Sequence, residues 1–198
     1  MDTLICIDDT DNHESKGTGH LAEILRHDIE NLYGGKTSRI TRHQLYVCDD
    51  IPYTSHNSTM CFKAEIDPDC LHGMIDHAAE MLVQKSAPGS DPGLCVAVID
   101  SIKQRDELIK YGMDATKKVL TKNDAISLAA KLDIHLSEHG GTGGGIIGAL
   151  AGIGLRLSGN NGRFKGWIEV DESRRNMAVN EIINNFDREL IFPIILFL

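Results

Sequence analysis

The chain lacks a pair of cysteines in metal-binding or redox spacing: Cys6, Cys48, Cys61, Cys70 and Cys95 are odd in number and include no CxxC. That excludes a zinc ribbon or a disulfide framework read from sequence, and the thiols are expected to be reduced and mostly buried, in a cytoplasmic protein. Positive charge is also scarce, with 20 Lys and Arg against 29 Asp and Glu and a formal net charge of −9. Broad non-specific binding to a polyanion is therefore excluded, and an RNA partner would need a local basic patch. Arg156, Arg163, Lys165, Arg174 and Arg175 are the candidates for one. No apolar run reaches the roughly 20 residues that a membrane helix needs. The longest, Ile191-Phe192-Pro193-Ile194-Ile195-Leu196-Phe197-Leu198, is expected to be a buried or exchanged strand, and no membrane partner is expected. Nor does a basic N-terminal region precede an apolar core, because acidic residues arrive at Asp2 and Asp8.

What the chain has is two concentrated runs. The apolar Leu4-Ile5-Cys6-Ile7 reads as a strand covered on both faces, and it ends in Asp8-Asp9-Thr10-Asp11. Far downstream, Gly140-Gly141-Thr142-Gly143-Gly144-Gly145 opens an apolar helix predicted over 146–153. Between them, Leu21, Ile24, Leu25, Ile29 and Leu32 recur at helical spacing before Gly34-Gly35. Strands are predicted over 37–47 and 58–66. Asp67-Pro68 then opens a helix with the stripe Leu71, Met74, Ile75, Ala78, Met81 and Leu82, and a strand follows over 94–99. The first hundred residues spell βαββαβ, a ferredoxin-like order.

Beyond Ser101 helices are predicted over 102–119 and 122–132, the second capped by Thr121 with Asp124 in its first turn. After the glycine loop and its helix come two short strands, around Leu155-Arg156-Leu157 and over 164–170, and a last helix carrying Val179, Ile182, Ile183 and Phe186 on one face. The fold class expected is α+β. A ferredoxin-like region (1–101) carries the acidic motif, and a helical region (102–198), with the glycine loop and a small β/α C-terminal part, packs on it as one compact unit.

Three carboxylates within four residues repel one another, and a hard divalent cation relieves that repulsion. Mg²⁺ takes one or two protein carboxylates plus phosphate oxygens and water, so Asp8, Asp9 and Asp11 are candidate metal ligands. The competing reading is an acidic surface turn in which Asp11 caps the next segment. A haloacid-dehalogenase pattern needs Thr after its second Asp, and an EF-hand needs Gly and Glu at positions that neither register supplies.

Consecutive glycines let amides close around an oxyanion while the following helix directs its positive end there. Gly140, Gly141, Thr142, Gly143, Gly144 and Gly145 are therefore candidate phosphate contacts. The run is neither a Walker A nor a dinucleotide fingerprint, and its competing reading is a flexible loop whose small residues permit close helix packing. In Lys16-Gly17-Thr18-Gly19-His20, Thr18 is a candidate catalytic hydroxyl or a helix N-cap, and Lys16 with Gly17 a candidate phosphate clamp or a solvated loop. His20 and His139 flank the two loops as candidate proton-transfer or phosphate groups.

These motifs, with Ile51-Pro52-Tyr53, Asn57 and the run from Gly145 to Gly154, resemble the N-terminal kinase and ferredoxin-like portion of archaeal tRNA(Ile) agmatidine synthetases. The resemblance implies an ATP- and Mg²⁺-dependent reaction in which a cytidine carbonyl oxygen is phosphorylated and agmatine displaces the phosphate. It matches Asp8, Asp9 and Asp11 to metal and catalytic aspartates, Thr18 to an autophosphorylated threonine, and residues 143–148 to a phosphate-side loop. Where that family carries Lys-Thr-Arg-Gly-Asn, this chain has Thr54-Ser55-His56-Asn57, without either cation, and it contains no OB-fold or zinc cysteine quartet.

The function expected is thus an ATP/Mg-dependent phosphoryl-transfer or ligase-type enzyme. The alternatives are a non-catalytic nucleotide-binding module working with a partner, or a metal-dependent nucleotide phosphohydrolase. Partners expected are a nucleotide and, as candidates, a tRNA or another nucleoside-containing acceptor and a second copy of the chain.

Overall fold

The computed structural model describes residues 1–51, 53 and 56–165. Arg174, Arg175, the helix expected around residues 179–186 and the apolar run 191–198 lie outside the described residues.

One antiparallel seven-stranded sheet organises the chain, in the order β6-β5-β1-β4-β3-β7, with β2 also pairing β4. The central strand β1 (Asp2–Asp8) pairs on one side with β4 (Ser58–Glu65) and on the other with β5 (Gly93–Val98). Helix α1 (Thr18–Leu32) joins β1 to β2 (Lys36–Thr37) and β3 (Thr41–Gln44), and α2 (Leu71–Lys85) joins β4 to β5. This is the expected ferredoxin-like arrangement. Alternation along β1 divides its side chains between two cores: Ile5 and Ile7 pack with Leu25, Ile29, Met74 and Leu82 of α1 and α2, while Leu4 and Cys6 face the other side.

That other face is covered by α3 (Arg105–Ala115), α4 (Lys122–Leu132) and α5 (Gly145–Leu157). The strands β6 (His135–Glu138) and β7 (Arg163–Phe164) come from beyond residue 101, yet they extend the two edges of the same sheet. Cys61, Cys6 and Cys95 stand side by side across β4, β1 and β5 as buried free thiols, and Cys48 and Cys70 are half-buried. No helix among the described residues is long and apolar enough to cross a membrane.

Local chemistry explains where the elements depart from the sequence pattern. The strand expected over 37–47 is broken at Ser38, whose hydroxyl accepts the Lys63 amide of β4 at 3.0 Å, so that a side chain stands in for a main-chain acceptor in the stretch between β2 and β3. Helix α3 stops at Ala115, whose carbonyl accepts the Tyr46 amide at 2.9 Å, so residues 116–120 run on as a turn. Leu155-Arg156-Leu157 is the last turn of α5 and not a strand, since three residues cannot distinguish the two periods. Strand β6 was not expected: three of its four residues are polar, only Leu136 packs on the core, and all are at least partly exposed, as an edge strand allows. Of the strand expected over 164–170, only residues 164 and 165 are described. Thr121 caps α4 as expected, and its amide donates to the Asp124 carboxylate in return.

Candidate functional site

Strand register places the pieces of the site. Asp8 at the C-terminal end of β1 pairs with Gly93 of β5, and Gly93 pairs with Glu138 of β6. The acidic turn, the turn before β5 and the loop after β6 therefore leave the sheet at one end, side by side. A cavity of about 310 Å³ opens there. Asp8, Asp9, Asp11 and Thr18 line it from one side, and Asp91, Thr142, Gly144, Gly145 and Gly148 from the other. Leu45, Ala115, Val119, Leu120 and Ile147 form an apolar stretch of wall, and Lys118 and Lys122 contribute cations.

The acidic turn is built tightly. Asp9 takes a left-handed conformation with φ +50°, which Asp and Asn tolerate better than most residues. The Asp8 carboxylate is buried against the first turn of α5, where a Cβ on Gly148 would fall 1.7 Å from its Oδ2, so only glycine fits. Burial above all, then the charges of Asp9 and Asp11, push the Asp8 carboxyl well above its ordinary value. Burial, followed by repulsion from Asp91 and Asp11, raises Asp9 to about 6. Thr18 opens α1 but does not cap it. Gly17 is the N-cap, with φ +84°, and the Thr18 hydroxyl turns back to donate to Asp11 Oδ1 at 2.8 Å.

These carboxylates fit a hard divalent cation, because their charges repel one another in a shared cleft. No group of three or more His, Cys, Asp and Glu among the described residues is arranged to enclose a metal. The donor set thus suits an ion that takes one or two protein carboxylates and completes its shell with phosphate oxygens and water, as Mg²⁺ does.

The glycine loop is differently disposed from the expectation of open amides. The Thr142 amide donates to Asp91 Oδ1 at 2.8 Å and the Gly144 amide to Asp91 Oδ2 at 3.4 Å. The Gly143 amide donates to the Gly140 carbonyl, and the Gly145 amide to the Asp91 carbonyl. The four amides from 142 to 145 are all engaged within the protein. What faces the cavity is the N-terminal end of α5, with the Thr142 side chain and Lys122, whose Nζ donates to the Thr142 carbonyl at 2.6 Å.

Among the residues singled out from sequence, Asp8, Asp9, Asp11, Thr18, Thr142, Gly144 and Gly145 line one cavity. Lys16 is exposed and Gly17 half-buried, and neither lines it; nor do Gly140, Gly141 and Gly143. His20 is exposed on α1, and His139 Nε2 pairs with the Ser137 hydroxyl at 2.8 Å, so neither reaches the cavity. Of the basic candidates, Arg156 lies over the Phe164 ring and Lys165 pairs with Glu23, while Arg163 is exposed opposite Arg42 in the β3–β7 pairing. Asp91, Lys118 and Lys122 were missed. Ser90-Asp91-Pro92-Gly93 carries only the signal of a turn, and Lys122 reads as the first residue of a helix.

No family model matches the chain, and no curated protein matches it. Solved structures do. The crystal structure of TiaS, a tRNA agmatidine synthetase, in complex with an isoleucine tRNA and ATP is 26% identical with a TM-score of 0.68, over 78% of this chain and 36% of that one. The TiaS complex with the isoleucine tRNA, AMPCPP and agmatine is 25% identical with a TM-score of 0.65, over 77% and 36%. A tRNA fluorescent labeling enzyme is 26% identical with a TM-score of 0.66, over 78% and 36%. The chain is similar to part of these proteins and spans about a third of their length.

Proposed function

We propose that the chain is an ATP- and Mg²⁺-dependent phosphoryl-transfer or ligase-type enzyme of tRNA modification, acting on a nucleoside or tRNA base carbonyl, with residues 1–101 and 102–198 working as one unit. The observation that carries this reading is the single cavity in which Asp8, Asp9, Asp11 and Thr18 meet the end of α5. The similarity to a TiaS structure holding ATP and a tRNA supports the same choice.

In this reading Asp8, Asp9 and Asp11 hold Mg²⁺, which when bound neutralises charge on the triphosphate and fixes its orientation. The N-terminal end of α5 supplies positive potential to the phosphate oxygens, and Lys122, which shares its charge with Glu138 at 2.5 Å, stands at the same wall. Thr18 Oγ1 stands beside the transferred group with its proton directed at Asp11. The apolar wall of Leu45, Ala115, Val119, Leu120 and Ile147 excludes water from one side, which strengthens the electrostatics inside. The chain's contribution is chiefly positioning and charge, as phosphoryl transfer requires.

Calorimetric titration with ATP and Mg²⁺ tests the reading on the wild type, Asp8→Asn and Asp11→Asn. Binding by the wild type and a loss of about tenfold or more in each variant is expected, the scale of one charge-assisted contact. Equal affinity in all three removes the aspartates from the site. Incubation with γ-labelled ATP then separates the classes: label on an acceptor marks transfer, free phosphate without acceptor marks a phosphohydrolase, and binding without turnover marks a nucleotide-binding module.

A further inference from the structure

Asp91 touches both halves of the candidate site, although neither the motifs nor the reading above gives it a part. It lies in the turn between α2 and β5, next to Pro92. Its Oδ1 accepts the Thr142 amide at 2.8 Å, and its Oδ2 accepts the Thr142 hydroxyl and, at 3.4 Å, the Gly144 amide. Its carbonyl accepts the Gly145 amide at 3.1 Å, and its own main-chain nitrogen faces the Asp9 carboxylate and favours its charged form. One residue thus faces the acidic turn with its main-chain nitrogen and bonds the glycine loop through three oxygens.

The seat is shaped for this carboxylate. Gly141 has φ +57°, and a Cβ there would fall 1.6 Å from Asp91 Oδ1. Thr142 is held at every polar atom: nitrogen and hydroxyl by Asp91, carbonyl oxygen by Lys122. Asn at position 91 would keep one neutral oxygen for the Thr142 amide but put an NH2 donor where Oδ2 accepts the Gly144 amide, weakening the first bond and leaving the second donor without its acceptor. Two amides of this glycine loop, those of Thr142 and Gly144, serve an internal anion, the Asp91 carboxylate.

We propose that Asp91 is a positioning residue that locks the acidic turn and the glycine loop into one unit, so that the carboxylates and the N-terminal end of α5 keep the spacing a metal-bound triphosphate needs. This rests on the reading that the cavity takes Mg²⁺ and ATP. Asp91 acts through Asp9, Thr142 and Gly144 and is not a group that reacts.

The test uses the full chain as wild type, Asp91→Asn and Thr142→Val. Amide proton resonances in the nucleotide-free protein report the lock: Thr142 should resonate downfield and exchange slowly in the wild type, and in Asp91→Asn it should move upfield and exchange at least tenfold faster. Calorimetry then compares ATP with Mg²⁺ against ATP in chelator. Asp91→Asn should weaken Mg²⁺-dependent binding by about tenfold or more while leaving metal-free binding within about twofold, a split that general destabilisation does not produce. Thr142→Val, which removes one hydroxyl and keeps the main chain, should move both readouts in the same direction by about threefold. Loop amides that loosen without loss of Mg²⁺-dependent affinity would overturn the proposal, as would tighter binding, which would make Asp91 an occupant that phosphate displaces. A wild type that binds no ATP defeats the nucleotide reading itself, and so the two failures are told apart.

Discussion

Replacing Asp9 by Asn should make the metal-free protein more stable at neutral pH while weakening its response to Mg²⁺. Burial, with repulsion from Asp91 and Asp11, raises the Asp9 carboxyl to about 6, against roughly 4 in an unfolded chain. The folded state therefore binds this proton more tightly than the unfolded one. The resulting stabilisation is fully present below about pH 4 and is lost as the pH climbs through 6, so at pH 7.5 the metal-free fold carries the whole penalty. A rise of two units corresponds to about 3 kcal/mol for a group shielded from water. Asp9 is only partly buried, and solvent screening reduces this to roughly 1–2 kcal/mol. Asn keeps the left-handed backbone and an oxygen for the Asp91 amide, and it removes the charge. For a chain of this size the gain amounts to roughly 2–8 °C in Tm. Calorimetric melting in chelator between pH 4.5 and 8 checks it: the variant's advantage should be smallest at the acid end, open towards pH 6.5 and persist above. Mg²⁺ with ATP should then raise the wild type's Tm more than the variant's. A variant that melts below the wild type at pH 7.5, or an advantage independent of pH, would refute the reasoning.

Gly148→Ala places a methyl 1.7 Å from Asp8 Oδ2 and 2.9 Å from Leu45 Cδ1, so it should reduce Mg²⁺·ATP affinity by at least about tenfold in a calorimetric titration. Lys16→Ala, at an exposed residue outside the cavity, should leave the same affinity within about twofold, and a larger loss would restore the clamp expected from sequence. Thr121→Ala removes the reciprocal cap of α4 and should cost about 1 kcal/mol, seen as a fall of roughly 2–4 °C in Tm.

What was legible in the sequence was local. The apolar run before Asp8, the stripe of α1, and Thr121 with Asp124 each carry their meaning within a few residues, and the structure has them as β1, α1 and a capping box. The ferredoxin-like order followed from counting such pieces. What was not legible depends on distant partners. His135–Glu138 becomes a strand only because β5 offers an edge, and four residues with a single apolar one, Leu136, carry no period of their own. Asp91 acquires its place from a loop 51 residues away. Lys16 sits two residues from Thr18, but the left-handed Gly17 intervenes, with Lys16 exposed and Thr18 buried at the cavity.

Position within the sheet explains why the acidic turn is more than a surface turn. A turn leaving an edge strand keeps its carboxylates in water, where three together cost little. Asp8 instead ends the central strand, flanked by β4 and β5 and roofed by α5, so its side chain retains only 8% of its exposure. Nothing in a βαββαβ core requires a carboxylate there; Asn or Ser would end the strand without the burial penalty. The fold also reserves Gly148 to admit that carboxylate and spaces Asp9 and Asp11 around it, which raises the penalty further. An arrangement that works against its own stability in this way is intelligible where a ligand returns the energy, and in the proposed function a divalent cation held by these carboxylates would return it. The same logic sets apart the seat of Asp91, where the hydrogen bonds of Thr142 and Gly144 and the charge of Lys122 outweigh burial and hold the carboxyl below its ordinary value. Protein donors and Lys122 hold the Asp91 carboxyl down, whereas burial and mutual repulsion hold those of Asp8 and Asp9 up, and in the proposed reading that difference separates the residue that builds the site from those that would take the metal.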